Sequence, residues 1–125
     1  MEKLVRLGSE NTPKINFDPE SGMFEISGKS IPEDSLGFYQ PILEWLKEYV
    51  QNPAHKTTFA FKLEYFNTSS SKLLLDLFYI LEEISDSLEL NWYCDEGDED
   101  LEESAQDFDE VLDFDINIIR MSSSK

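Results

Sequence analysis

Apolar and polar side chains alternate over Lys14–Asp18 and again over Met23–Ser27, then recur at Leu36, Tyr39, Ile42, Leu43, Leu46, Tyr49 and Val50. A period of two predicts two short strands, and a period near 3.6 predicts a helix after them. Asp18-Pro19-Glu20-Ser21-Gly22 between the strands has the chemistry of a hairpin with a longer loop. Gly28 to Asp34 reads as a loop, with Asp34 or Ser35 placed to cap the helix and Asn52-Pro53 to end it. Pro41 falls inside this helix and predicts a bend or a late start, because proline removes an N–H and crowds the preceding turn.

The strongest β signal is Thr57 to Phe66, with Phe59, Phe61, Leu63 and Tyr65 on alternate positions. It runs directly into Asn67-Thr68-Ser69-Ser70-Ser71-Lys72, where the side chains suit a helix start. Leu73, Leu74, Leu77, Phe78, Leu81 and Ile84 then follow at helical spacing, predicting a helix from about residue 69 to 87. Leu88 to Cys94 is a further strand, carrying Leu88, Leu90, Trp92 and Tyr93. The acidic run Asp95 to Glu103 leads into a helix with Leu101, Ala105, Phe108 and Leu112 on one side, and Phe114 to Ile119 is a last strand. Residues 1–10 and 121–125 are expected to be peripheral, the latter frayed.

The order is therefore β-β-α-β-α-β-α-β in one domain spanning residues 1–125. It predicts a mixed α/β (α+β) sheet of about five strands, mostly parallel after the first hairpin, with helices mainly on one face. In such sheets sites gather beyond the carboxyl ends of the strands. Asn67 to Ser71 lies at one of those ends.

Composition narrows the function. Hydrophobic residues are 40% of the chain and include 9 Phe, enough for a real core. The formal net charge of −17 disfavours nucleic acid and anionic membrane surfaces, whose phosphates it would repel. A protein partner with a basic surface fits better. No apolar run reaches membrane-spanning length, and the charge-broken Met1 to Leu7 does not resemble a secretory signal. Cys94 and His55 are single, which excludes an internal disulfide and a Cys/His zinc site. A cytoplasmic protein without metal or cofactor is expected.

Enzyme chemistry finds little support. His55 sits in a loop with no nucleophile arranged around it, and Cys94 reads as a small apolar residue. Trp45 and Trp92 read as core anchors. Glu82-Glu83 and Glu102-Glu103 are adjacent and so diverge on a helix, a poor acid/base arrangement. Asp95 to Asp100 lacks the spacing of an EF-hand calcium loop and suits a solvated helix start instead.

The turn at Asn67–Ser71 is the informative feature. Unpaired amides at a helix start converge on one spot and favour negative charge there, so a hydroxyl on that spot is a natural phosphate acceptor. By themselves such hydroxyls are ordinary caps. The wider pattern adds to them. Leu63-Glu64-Tyr65-Phe66-Asn67-Thr68-Ser69-Ser70-Ser71-Lys72 resembles the corresponding turn of the SiaC family of bacterial regulatory phosphoproteins. Ile31 to Ser35 leading into Pro41-Ile42-Leu43-Glu44-Trp45-Leu46, Trp92-Tyr93 and Phe114-Asp115-Ile116 extend the similarity from about Asn11 to Ile119.

The resemblance implies an architecture like that of the STAS anti-anti-sigma factors and a switch on Thr68, with Ser69 and Ser70 as lesser acceptors. Asn67, Ser69, Ser70 and Lys72 are the expected support for the phosphate. It further implies a Ser/Thr kinase related to anti-sigma factors, a PP2C-type phosphatase, and an unphosphorylated form that binds and activates a diguanylate cyclase, raising cyclic di-GMP. The expected function is a non-enzymatic signalling adaptor. Its rivals are an anti-sigma factor antagonist using the same switch, an acidic mimic of nucleic acid supported only by the charge, and, more distantly, a small enzyme.

Overall fold

The structure, a computed structural model, describes residues 1–122. Six strands form one sheet in the order of the chain: β1 (Leu4–Arg6), β2 (Lys14–Asp18), β3 (Met23–Ser30), β4 (Thr57–Phe66), β5 (Leu88–Asp95) and β6 (Ile116–Met121). The first three are antiparallel, and β3 to β6 are parallel. The parallel strands are linked by α1 (Ser35–Tyr49), by α2 (Thr68–Leu81) with a 3-10 segment Glu82–Ser87, and by α3 (Glu99–Val111).

Three successive crossovers step across the sheet in one direction, so right-handed connections put all three helices on the same face. Burial agrees with this layout. On β4, Phe59, Phe61 and Leu63 are buried while Lys62 and Glu64 are exposed. Phe24 packs on Tyr49 of α1, Phe61 on Phe78 of α2 and Trp92 on Phe108 of α3. The opposite face is open and largely polar, with Glu25 beside Lys62 and an Asn117-to-Asn91 amide hydrogen bond along it. Trp92 is a core anchor, buried and stacked on Phe61, whereas Trp45 is only half-buried and stacks on Tyr49 at the margin of the core.

Several expectations change. Residues 1–10 are not wholly peripheral: Leu4 is buried, β1 pairs with β2, and the Trp45 indole N–H donates to the Glu2 carbonyl. A three-residue edge strand is too short to leave a periodic signal, which explains the sixth strand. Gly28, Lys29 and Ser30 extend β3 rather than forming a loop. α1 starts at Ser35 despite Pro41, so there is no late start. The α-helical part of α2 ends at Leu81, where the chain tightens into the 3-10 segment and Ile84 leaves helical geometry. Met121 belongs to β6, whereas the expected fraying of 123–125 lies outside the described residues.

The most consequential departure is at the end of β4. Gly28 pairs with Leu63 but Lys29 pairs with Tyr65, so Glu64 is an extra residue and a bulge. Gly28 has φ +102, a conformation that glycine adopts without steric cost. One extra residue inverts the alternation. Tyr65 is turned out to 57% exposure, and Phe66 turns inward against Phe61, Trp92 and Phe108. The bulge therefore aims the turn that follows.

Candidate functional site

The hydroxyl-rich turn stands where β4 ends and α2 begins. Asn67 is the N-cap: its Oδ1 accepts from the Ser70 amide at 2.9 Å and from the Ser69 hydroxyl at 3.3 Å. Its own amide donates to the Ser30 carbonyl at 3.0 Å, tying the turn to the end of β3. The amides of Thr68 and Ser69 have no acceptor among the described residues, as expected of the first helical positions.

The hydroxyls have different fates. Thr68 is the first residue of α2, is exposed, and its hydroxyl makes no hydrogen bond among the described residues. Ser69 is exposed too, but its oxygen lies 2.6 Å from the Ser35 hydroxyl at the start of α1. Ser70 is fully buried. Its hydroxyl donates to the Ser30 carbonyl at 3.1 Å and accepts from the Ser30 hydroxyl at 2.9 Å. The Ser30 hydroxyl in turn lies 2.5 Å from the Tyr39 hydroxyl. Because Ser30 donates to Ser70, Tyr39 must donate to Ser30. Burial raises the Tyr39 phenol to about 12. Ser70 thus anchors α2 to the sheet, and its burial withholds it from an outside enzyme. Lys72 is exposed and forms no ion pair among the described residues.

Ser30 carries no signal in the sequence, and Tyr39 is legible there only as an apolar position of the first helix. Ser35 was legible only as a cap for α1. Topology brings it to Ser69, because consecutive parallel crossovers start their helices at the same sheet edge. α1 is capped by Asp34, which accepts from the Gly37 amide at 3.0 Å. Tyr39 is fully buried and Trp45 is half-buried in an aromatic cluster, whereas Leu36 of α1 is 59% exposed.

Beside the turn, pairing of β4 with β5 stops at Phe61 and Trp92, and the strands splay beyond it. A cleft of about 540 Å³ opens there, lined by Lys62, Glu64, Tyr93, Cys94, Asp95 and Asp98 among others. Asp98 caps α3, whose first turn holds Glu99, Asp100 and Glu102, in line with a solvated acidic helix start. Cys94 is buried, and burial pushes its thiol up, away from nucleophilic use. His55 is exposed at the opposite, amino-terminal end of the strands, at a groove before β4 and β5. Among the described residues no cluster of His, Cys, Asp or Glu is arranged to hold a metal ion, and no helix is long and apolar enough to cross a membrane.

Comparison with known proteins agrees with this picture. The chain is 29% identical over 110 residues to an uncharacterised protein of Pseudomonas aeruginosa strain UCBPP-PA14, covering 86% of this chain and 87% of that one. It superposes on the structure of SiaC of Pseudomonas aeruginosa with a TM-score of 0.86 at 27% identity, covering 97% and 100% of the two chains. It is also similar to a chain in the crystal structure of the diguanylate cyclase SiaD in complex with its activator SiaC from Pseudomonas aeruginosa, with a TM-score of 0.87, 28% identity, and 94% and 99% coverage. A family model described as SiaC family regulatory phosphoprotein matches residues 7–121. With so much of the chain matched, this protein belongs to the SiaC family of regulatory phosphoproteins.

Proposed function

We propose that this protein is a non-enzymatic cytoplasmic adaptor switched at Thr68, and that its unphosphorylated form binds and activates a diguanylate cyclase. The observation that carries the reading is the Thr68 hydroxyl: exposed, without a hydrogen bond among the described residues, and on the first residue of α2. The whole-length similarity to SiaC, described as the activator of SiaD, supports a cyclase as the partner. A Ser/Thr kinase adds the phosphate and a PP2C-type phosphatase removes it.

The physical effect of the modification is a dianion on a docking surface. A phosphoryl group brings about −1.5 to −2 charges near neutral pH. Next to it stand exposed apolar groups suited to a partner, Leu36 on α1 and Tyr65 before the turn. Desolvating an unmatched charge costs several kcal/mol. A micromolar complex holds together by only about 8 kcal/mol, so a loss of about 4 kcal/mol takes it to millimolar. The switch acts by blocking rather than by unfolding.

The test is intact-mass and fragment analysis of protein from its native cell. A phosphate mapped to Thr68 and absent from Thr68→Ala is the expected result; a phosphate that persists in Thr68→Ala, or none under any growth condition, overturns the assignment. Capture of partners by Thr68→Ala should yield a cyclase, and by the phosphorylated form should not.

A further inference from the structure

Resting on the reading of Thr68 as acceptor, we infer that Ser69 is the hydroxyl that senses the phosphate and that Ser35, on α1, is the positioning residue that holds Ser69 in place. The proton order of the cluster leads there. Asn67 turns its Oδ1 toward the Ser70 amide, so this oxygen is an acceptor, and the Ser69 hydroxyl donates to it over a long 3.3 Å. Ser69 has one proton, already given to Asn67. For both contacts to be hydrogen bonds, the short 2.6 Å one runs from Ser35 to Ser69. The relay reads Ser35 to Ser69 to Asn67. It joins α1 to α2 through two residues 34 apart in sequence.

This relay is built to be redirected. Its last bond is weak, and the Asn67 oxygen keeps a good 2.9 Å bond from the Ser70 amide if Ser69 turns away. A phosphate on the adjacent Thr68 offers charged acceptor oxygens, to which hydrogen bonds are roughly twice as strong as to a neutral amide. Ser69 then gives its proton to the phosphate and still accepts from Ser35, a buried residue held by α1. Polarising Ser69 strengthens the bond from Ser35. Phosphorylation thereby ties the start of α1, with exposed Leu36, more firmly to the modified turn, and the signal reaches beyond one residue.

The experiment installs phosphothreonine at position 68 during translation, so no kinase need recognise the site. The phosphate is titrated by 31P NMR and the amides are followed by 15N NMR, in the full chain and in Ser69→Ala, Ser35→Ala and Ser35→Thr. Hydrogen bonds to a dianion lower its second pKa. The expected result is a titration below the ~6 of an ordinary phosphothreonine, moved back toward it by Ser69→Ala and partly by Ser35→Ala, and restored by Ser35→Thr. The Ser35 and Leu36 amides should shift on phosphorylation in the native chain and stay put in Ser69→Ala. Equal titrations in all four proteins, or α1 amides unmoved in the native chain, overturn the inference. Because the phosphate is placed by design, such a failure leaves the identity of the cellular acceptor to the mass analysis.

Discussion

Thr68, Ser69 and Ser70 are chemically alike and adjacent, yet burial gives them separate roles. Ser70 closes a chain in which Tyr39 donates to Ser30, Ser30 to Ser70, and Ser70 back to the Ser30 carbonyl. Ser70→Ala strands the Ser30 proton inside the protein and should cost about 1–3 kcal/mol. Thr68→Ala removes an exposed side chain and should stay within about 0.5 kcal/mol. Urea unfolding of the two variants measures the contrast, and equal losses would show that the chain has been misread. Tyr39 adds a pH signature. Burial raises its folded pKa from 10.0 to about 12, so its neutral form stabilises the fold fully below pH 10.0 and that stability drains away between pH 10.0 and about 12. In Tyr39→Phe that part of the alkaline decline should vanish from a thermal melt series, although the variant starts less stable for lack of the hydroxyl.

At the level of elements, caps and edge contacts decide where helices begin and how they are held. Gly37 lies inside α1, where alanine is ordinarily worth up to about 1 kcal/mol more than glycine. Here a Cβ would stand 2.3 Å from Oδ2 of Asp34, the N-cap carboxylate. Gly37→Ala should therefore destabilise, approaching the ~1 kcal/mol loss of Asp34→Ala; a gain in melting temperature would refute this. At the other end of the sheet order, Arg120 of β6 holds Glu102 of α3 through two hydrogen bonds of 2.9 and 2.6 Å. The hydrogen bond from Arg120 lowers the Glu102 carboxyl below its ordinary value. A lowered folded pKa means stability present above the ordinary carboxyl range and lost as pH falls through the folded value. Glu102→Gln should flatten the acid limb of the stability curve slightly, since the pair is exposed to solvent and screened.

Across the whole molecule, 27 acidic residues face 10 basic ones, and four salt bridges among the described residues leave most of the excess uncompensated. Self-repulsion of this kind works against the compact state. Raising salt from 10 mM to 150 mM shortens the screening length from about 30 Å to about 8 Å, so the melting temperature should rise; a fall would mean that attractive pairs dominate. The same charge makes the turn at Thr68 unusual for its setting. In a molecule that repels anions, the amide-rich start of α2 is a place where a phosphate meets donors instead of carboxylates.

Much of this was legible along the chain. Alternation in Phe59-Ala60-Phe61-Lys62-Leu63 specifies a strand with one buried face, and the helical spacing from Leu73 to Leu81 specifies its partner, because both patterns are local. Asn67 and Thr68 at the junction follow from capping chemistry, which spans only a few residues. Three features needed the folded molecule. The bulge at Glu64 depends on pairing with β3, and it sends Tyr65 out and Phe66 in against the apparent alternation. β1 exists because Leu4 finds cover opposite Phe17. The separation of Thr68, Ser69 and Ser70 into free, bridged and buried hydroxyls is set by Ser35 and Ser30, distant in sequence. Local chemistry determined that hydroxyls would stand at the start of a helix; contacts across the fold decided which of them remained accessible.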